Sequence, residues 1–243
     1  ATKSITLNGL GLWRGVSLRD FGGATVSGKA PQIKLLPGST DPNAAITIIG
    51  ENRSIDPSVN ELAGVNMNVT GRAGAAPFLS AANGASIVVR GLTPFSAGAD
   101  TNAIRIVDIP RSNLSEPVID VIDGGSLQLT SLAYGGITLH DASLRSSGAL
   151  DLSSAYAITA TTSRIAATGS IGLTSTSINL QDSSLSSTGG DVTLGGTGQG
   201  TGINNSTFGG AAYNDVGCGI HVGNSSLSVS NGSLGGGGNT ISI

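Results

Sequence analysis

A step of 21 residues governs the middle of this chain. Gly148-Ala-Leu150-Asp-Leu152, Gly169-Ser-Ile171-Gly-Leu173 and Gly190-Asp-Val192-Thr-Leu194 share one pattern, each 21 residues beyond the last. A second element recurs between them at Ile137-Thr-Leu139, Ile158 and Ile178-Asn-Leu180. A third precedes each glycine and reads as a turn: Leu144-Arg-Ser-Ser-Gly, Ile165-Ala-Ala-Thr-Gly and Leu185-Ser-Ser-Thr-Gly. Self-similarity at a fixed step is the signature of a repeat architecture. Chance composition would rarely carry three elements along together.

Within each element the apolar residues stand at i and i+2, the period of a strand whose alternate side chains face inward. The same pairs run upstream as Leu127/Leu129, Ile104/Ile106, Ile87/Val89, Val65/Met67/Val69 and Ile46/Ile48. Downstream they continue as Ile220/Val222, Leu227/Val229 and Ile241/Ile243. Strands this short cannot hold large cores as independent hairpins. Stacked as successive coils about 4.8 Å apart, each pairs with the coil above and below. Gly, Ser, Thr and Asn supply the turns. The stretch 169–194, which reads as a linker on composition, is then one full coil.

Composition agrees with a narrow core. Hydrophobic residues make up 38% of the 243 residues and charged ones 11%, with 38 glycines and 3% aromatics. Disordered chains combine low hydrophobicity with high charge, so small side chains stacked closely fit better than disorder. The single cysteine, Cys218, excludes an intrachain disulfide framework and reads as a buried, inert thiol. No apolar stretch approaches the ~18 residues of a membrane span.

These residues predict an all-β chain, a single-stranded right-handed parallel β-helix (a β-solenoid) with coils of about 21 residues. Over residues 41–243 the chain resembles the right-handed parallel β-helix superfamily shared by pectate lyases, phage tailspikes and filamentous-haemagglutinin-like and autotransporter adhesins. Its motifs are generic to that architecture and select no one family. The Asn-Pro-Asn-Gly signature of two-partner-secretion domains is replaced by Asp41-Pro42-Asn43-Ala44.

Two domains are expected, 1–40 as an N-terminal cap or docking segment and 41–243 as the β-helix. All eight prolines lie between Pro31 and Pro117, so 41–123 reads as irregular coils with longer loops, such as Glu51–Gly64 and Ser112–Pro117. The proline-free 124–243 reads as regular coils, with Gly195–Tyr213 and Gly235–Gly238 as bulging loops. Residues 1–40 hold the only tryptophan and a basic excess. Trp13, Arg14, Arg19, Phe21, Lys29 and Lys34 are the candidate docking residues, since Trp and Arg together favour interfaces. Beyond Arg164 no basic residue occurs.

Chemistry is sparse. The best catalytic candidates are Asp120 and Asp123 in Val118-Ile-Asp-Val-Ile-Asp-Gly. Three residues apart, they point to opposite faces of a straight strand, and solvated turn aspartates are the plainer reading. Glycoside hydrolysis would need two carboxyl groups at roughly 5–10 Å. His140-Asp141 sits at a turn without a nucleophile partner. Alternation turns His221 outward between Ile220 and Val222. No Cys/His cluster signals a metal, and no cofactor is expected. Thr159-Ala-Thr161 and Thr174-Ser-Thr176 are out of step with the coil, which weighs against a threonine ice-binding face. Tyr134, Tyr156 and Tyr213 fall at irregular intervals and suggest no sugar-binding platform. Seven Asn-x-Ser/Thr sequons are near chance in so Ser-rich a chain.

The expected function is that of a non-catalytic structural protein displayed on a larger assembly. A phage or viral virion component leads, as capsid decoration (cement) or a tailspike-like protein, because a compact chain with no evident export signal fits it best. The alternatives are a bacterial cell-surface adhesin passenger fragment and a polysaccharide lyase or hydrolase built on a β-helix. Localisation is then the virion surface, or the extracellular or bacterial surface. The expected partner is a protein scaffold reached through the N-terminal segment. A homotrimer and a host surface glycan stay open. A net charge of −3 argues against nucleic acid, and no membrane insertion is expected.

Overall fold

In a computed structural model, residues 4–20, 32–35, 43–54, 62–70, 77–93, 102–109, 117–196, 205–208, 211–214, 220–232, 234–237 and 241–242 are described. All regular elements among them are strands. They form three parallel sheets of eight, eight and seven strands. The first sheet stacks Ile5–Gly11, Ala45–Asn52, Ser86–Leu92, Leu127–Ser131, Leu150–Ser154, Ile171–Ser175, Val192–Gly196 and Leu234–Gly237. The second starts at Arg14–Asp20 and includes Gly136–His140, Ala157–Thr161, Ser177–Gln181 and Ile220–Gly223. The third runs from Ile33–Leu35 to Ser226–Val229. Along the chain, the described strands visit first, second and third sheets in rotation, interrupted by one antiparallel hairpin, Asn205–Phe208 with Ala211–Asn214. This topology is consistent with a β-solenoid.

Register follows the repeat. Leu150 pairs with Ile171 and Ile171 with Val192. Ile137 pairs with Ile158 and Ile158 with Ile178. The upstream and downstream apolar pairs join the same columns: Ile46 pairs with Ile87, Ile87 with Leu127, and Ile178 with Ile220. The 21-residue step belongs only to the middle. Paired strands are 40 residues apart from Ile87 to Leu127 and 42 apart from Val192 to Leu234. The extra chain leaves at the corners, where it does not disturb the ladders.

Expected turns and loops are corrected here. The segments read as turns before each glycine are strands of a third sheet: Ser143–Ser146, Arg164–Ala167 and Ser184–Ser187. Their alternation was hidden because the second inward residue is a buried serine or alanine, Ser146, Ala167 or Ser187. Leu234–Gly237, read as part of a glycine loop, is a strand pairing with Val192–Gly195. Gly195 and Gly196 likewise close a strand, and the hairpin occupies part of the expected Gly195–Tyr213 loop. Glu51 and Asn52 end a strand and Ala63 begins one; residues 55–61 of that expected loop, and 112–116 of the other, lie outside the described residues.

The core is a narrow column of aliphatic side chains from the inner faces of all three sheets, including Ile46, Ile87, Leu127, Ile137, Leu144, Ile165, Leu173 and Leu185. At one end of the stack the outermost described strands come from the first 35 residues. Ile5, Leu7, Val16, Leu18 and Ile33 pack on the core only half-buried.

Serine hydroxyls close the corners. Between the second and third sheets, the Ser163 hydroxyl accepts from the Ala142 amide at 3.2 Å, Ser183 from Ser163 at 3.0 Å, and Ser225 from Ser183 at 2.9 Å. Each of these hydroxyls also donates to the carbonyl two residues earlier at 2.8 Å. Between the third and first sheets, the Ser146 hydroxyl lies within hydrogen-bond distance of the Gly125 and Ala149 carbonyls, and the Ser187 hydroxyl of those of Gly169 and Gly190. A corner in a stacked fold leaves inward backbone groups that no ladder reaches. A buried serine satisfies them without widening the coil.

Candidate functional site

The carboxylate pair that a hydrolytic reading needs is divided by its partners. Asp120 lies on the third-sheet strand Ile119–Val121 and is 6% exposed. Its neighbour in register is Arg145. The Arg145 guanidinium binds it bidentately, Nε to Oδ1 at 2.8 Å and NH2 to Oδ2 at 2.6 Å. Hydrogen bonding to Asp120 raises the Arg145 pKa above its ordinary value. Asp120 is therefore a paired strand residue, where a solvated turn aspartate was expected. Asp123 does sit in a turn, at φ 63°, and its Oδ2 accepts from the Asn83 amide at 3.2 Å. Asn83-Gly84 and Asp123-Gly124 are the same turn on successive strands of the stack, all four residues with positive φ. The Asn-Gly and Asp-Gly dipeptides are a turn signal in the sequence.

The corner between the second and third sheets carries a column of left-handed residues, Asp141, Thr162, Asp182 and Asn224, with φ between 46° and 51°. Asp182 accepts from the Asn224 and Gln181 side-chain amides, which hold its carboxyl below the usual range. His140 Nε2 stands 3.4 Å from Asp141 Oδ2 at the head of this column. Among the described residues, no three His, Cys, Asp or Glu gather as metal ligands; Cys218 lies outside them. On the first sheet, burial pushes the Asp151 carboxyl up.

His221 departs from expectation. Ile220 and Val222 point inward as predicted, at 1% and 5% exposed, and His221 faces the other way. It is nonetheless buried at 7%. The hairpin strand Asn205–Phe208 comes near Ile220–Gly223, a neighbour that alternation within one strand cannot foresee.

The expected docking residues are placed unevenly. Trp13 is 63% exposed at the corner between Ile5–Gly11 and Arg14–Asp20, with Leu12 at 72% and Leu10 at 58% beside it in sequence. Lys34 is exposed on its strand, whereas Arg14 and Arg19 are half-buried and have partners. Phe21 and Lys29 lie outside the described residues.

The tyrosines are closer than their spacing suggested. Ser131 pairs with Ser154, and each opens the corner from the first to the second sheet. Tyr134 and Tyr156 follow on neighbouring rungs, 57% and 48% exposed. With Ala133 and Ala155 they line an open cleft of about 460 Å³. The missed signal is a recurring tetrapeptide, Ser131-Leu-Ala-Tyr134 and Ser153-Ser-Ala-Tyr156. Corners of unequal length put the tyrosines out of the 21-residue step yet onto one edge. Tyr213 belongs to the hairpin.

No family model, curated protein or solved structure matches the chain. The functional reading rests on the residues themselves.

Proposed function

We propose that this protein is a non-catalytic structural β-solenoid of the right-handed parallel β-helix type, displayed on the surface of a larger particle and docked through its N-terminal segment. A phage or viral virion, with the chain as decoration or a tailspike-like component, is the host we favour. The observation that carries the reading is the exposed Leu10, Leu12 and Trp13 on the end rung of the stack, on which Lys34 is also exposed, on the outermost strand of the third sheet. Large apolar side chains clustered on an otherwise Ser-, Thr- and Gly-rich surface mark an interaction site, and a tryptophan is the commonest anchor of such sites. The bidentate engagement of Asp120 by Arg145 supports a non-catalytic role for the best carboxylate.

Point variants test docking better than deletion of residues 1–40, because that deletion would also remove Ile5, Leu7, Val16 and Leu18 from the core. Purified particles are expected to carry the chain in stoichiometric copies. Trp13→Ala is expected to lower incorporation about tenfold, the weight of a typical interface anchor, with its unfolding midpoint unchanged. Particles that incorporate the variant at wild-type level overturn the docking assignment. Recovery of the chain from a bacterial cell surface instead of particles transfers it to the adhesin class.

A further inference from the structure

We propose that the corner bearing Tyr134 and Tyr156 is a binding site for a neutral, extended oligosaccharide. This inference is independent of how the N-terminal segment docks. Exposed single hydrophobics are ordinary on protein surfaces, but here two aromatic rings stand on adjacent rungs with Leu132, itself 51% exposed, next to them. Among the described residues, Ala133 and Ala155 are the others lining the cleft, and their small side chains add little bulk beside the rings. An aromatic face with a phenolic hydroxyl at its edge suits a sugar, which offers C–H groups on one face and hydroxyls around its rim.

Spacing and rigidity point the same way. Adjacent strands are about 4.8 Å apart, on the scale of one sugar unit in an extended glycan, so a short glycan can reach across both rungs. Both backbones are pinned. The Thr93 hydroxyl donates to the Tyr134 carbonyl, and the Thr176 hydroxyl to the Tyr156 carbonyl. The Tyr156 amide donates to Ser154 Oγ at 3.1 Å, and Ser131 Oγ donates to the Gly135 carbonyl at 2.8 Å. A corner tied at both carbonyls loses little entropy when it binds, which favours a weakly binding ligand class. Among the described residues, no charged side chain lines the cleft, which favours a neutral glycan over an acidic one.

The test is isothermal titration of the full chain with maltohexaose, cellohexaose and mannohexaose, with hexagalacturonate as the acidic control. At least one neutral hexaose is expected to bind and hexagalacturonate to bind more weakly. The double variant Tyr134→Ala/Tyr156→Ala is expected to lose affinity by about tenfold or more, as removal of two stacking platforms implies, while Tyr134→Phe retains most of it. Because both side chains are about half exposed, the unfolding midpoint should stay within a few degrees, which separates lost binding from lost fold. Absence of binding to all three neutral hexaoses overturns the assignment, as does affinity unchanged in the double variant. Self-association of the wild type that the double variant abolishes also overturns it, by making the corner a contact between copies.

Discussion

A buried serine in this protein is a structural fastener. Ser183, 5% exposed, accepts from the Ser163 amide and donates to the Gln181 carbonyl at 2.8 Å, with the Ala160 carbonyl at 3.1 Å as a second acceptor for the same hydrogen. Ser183→Ala would leave a buried amide without its acceptor, and a cost of about 1–3 kcal/mol is expected. Ser153→Ala, at an exposed position, should stay within about 0.5 kcal/mol of wild type. Urea denaturation of the two variants separates these outcomes. Thr162 is a second informative residue. It holds φ 47° in a column whose other members are Asp141, Asp182 and Asn224, and a β-branched side chain is the least suited to that conformation. Thr162→Asn is expected to raise stability by about 0.5–1 kcal/mol, because Asn tolerates the left-handed region. An unchanged or lowered midpoint would contradict this account of the corner.

Strands are short here because the corners, more than the ladders, limit them. Where the first sheet turns toward the second, the early strands place Gly50 and Gly91 against the facing backbone. A Cβ at Gly50 would strike the Gly64 carbonyl, and one at Gly91 the Ala103 carbonyl. In the same column, later strands carry Ser131, which pairs with both Gly91 and Ser154. There the corner is looser and a hydroxyl fills it. Gly91→Ala is expected to destabilise by about 1–3 kcal/mol, since backbone cannot step aside as a side chain can. Gly172→Ala should cost far less. Its Cβ would meet only the flexible Asp151 side chain. Thermal unfolding of the pair tests whether the two glycines differ in kind.

At the scale of the molecule, stability should vary along the stack. In a quasi-one-dimensional fold each rung depends mainly on its neighbours. The inward residues of the first strands are half-buried, while Leu127, Leu129, Leu150 and Leu173 are fully buried. Native-state hydrogen exchange should therefore show weaker amide protection across residues 5–18 than across 127–194, with end rungs opening locally. Uniform protection across both would mean that the stack opens only as a whole. The placement of functional groups obeys the same geometry. Exposed apolar residues collect at corners, Leu12 and Trp13 at one end and Leu132, Tyr134 and Tyr156 further along, because corners tolerate insertions that ladders do not.

Read alone, the amino-acid order determines the columns. Apolar residues at i and i+2, repeated at a fixed step, have one low-energy arrangement, with like residues stacked in register and facing inward. That is why Leu150, Ile171 and Val192 were legible as one ladder, and why that ladder could be followed back to Ile46, and its second-sheet counterpart on from Ile178 to Ile220, across unequal insertions. Tertiary structure decided what alternation could not encode. Ser146 and Ser187 point inward because corner carbonyls need donors, which disguised a third sheet as a turn. Asp120 met Arg145 only because strands 25 residues apart in sequence lie side by side. His221 is buried although it alternates outward, and Tyr134 and Tyr156 share an edge because their corners differ in length. Each of these depends on which chain segments become neighbours across the stack, and a local pattern carries no term for that.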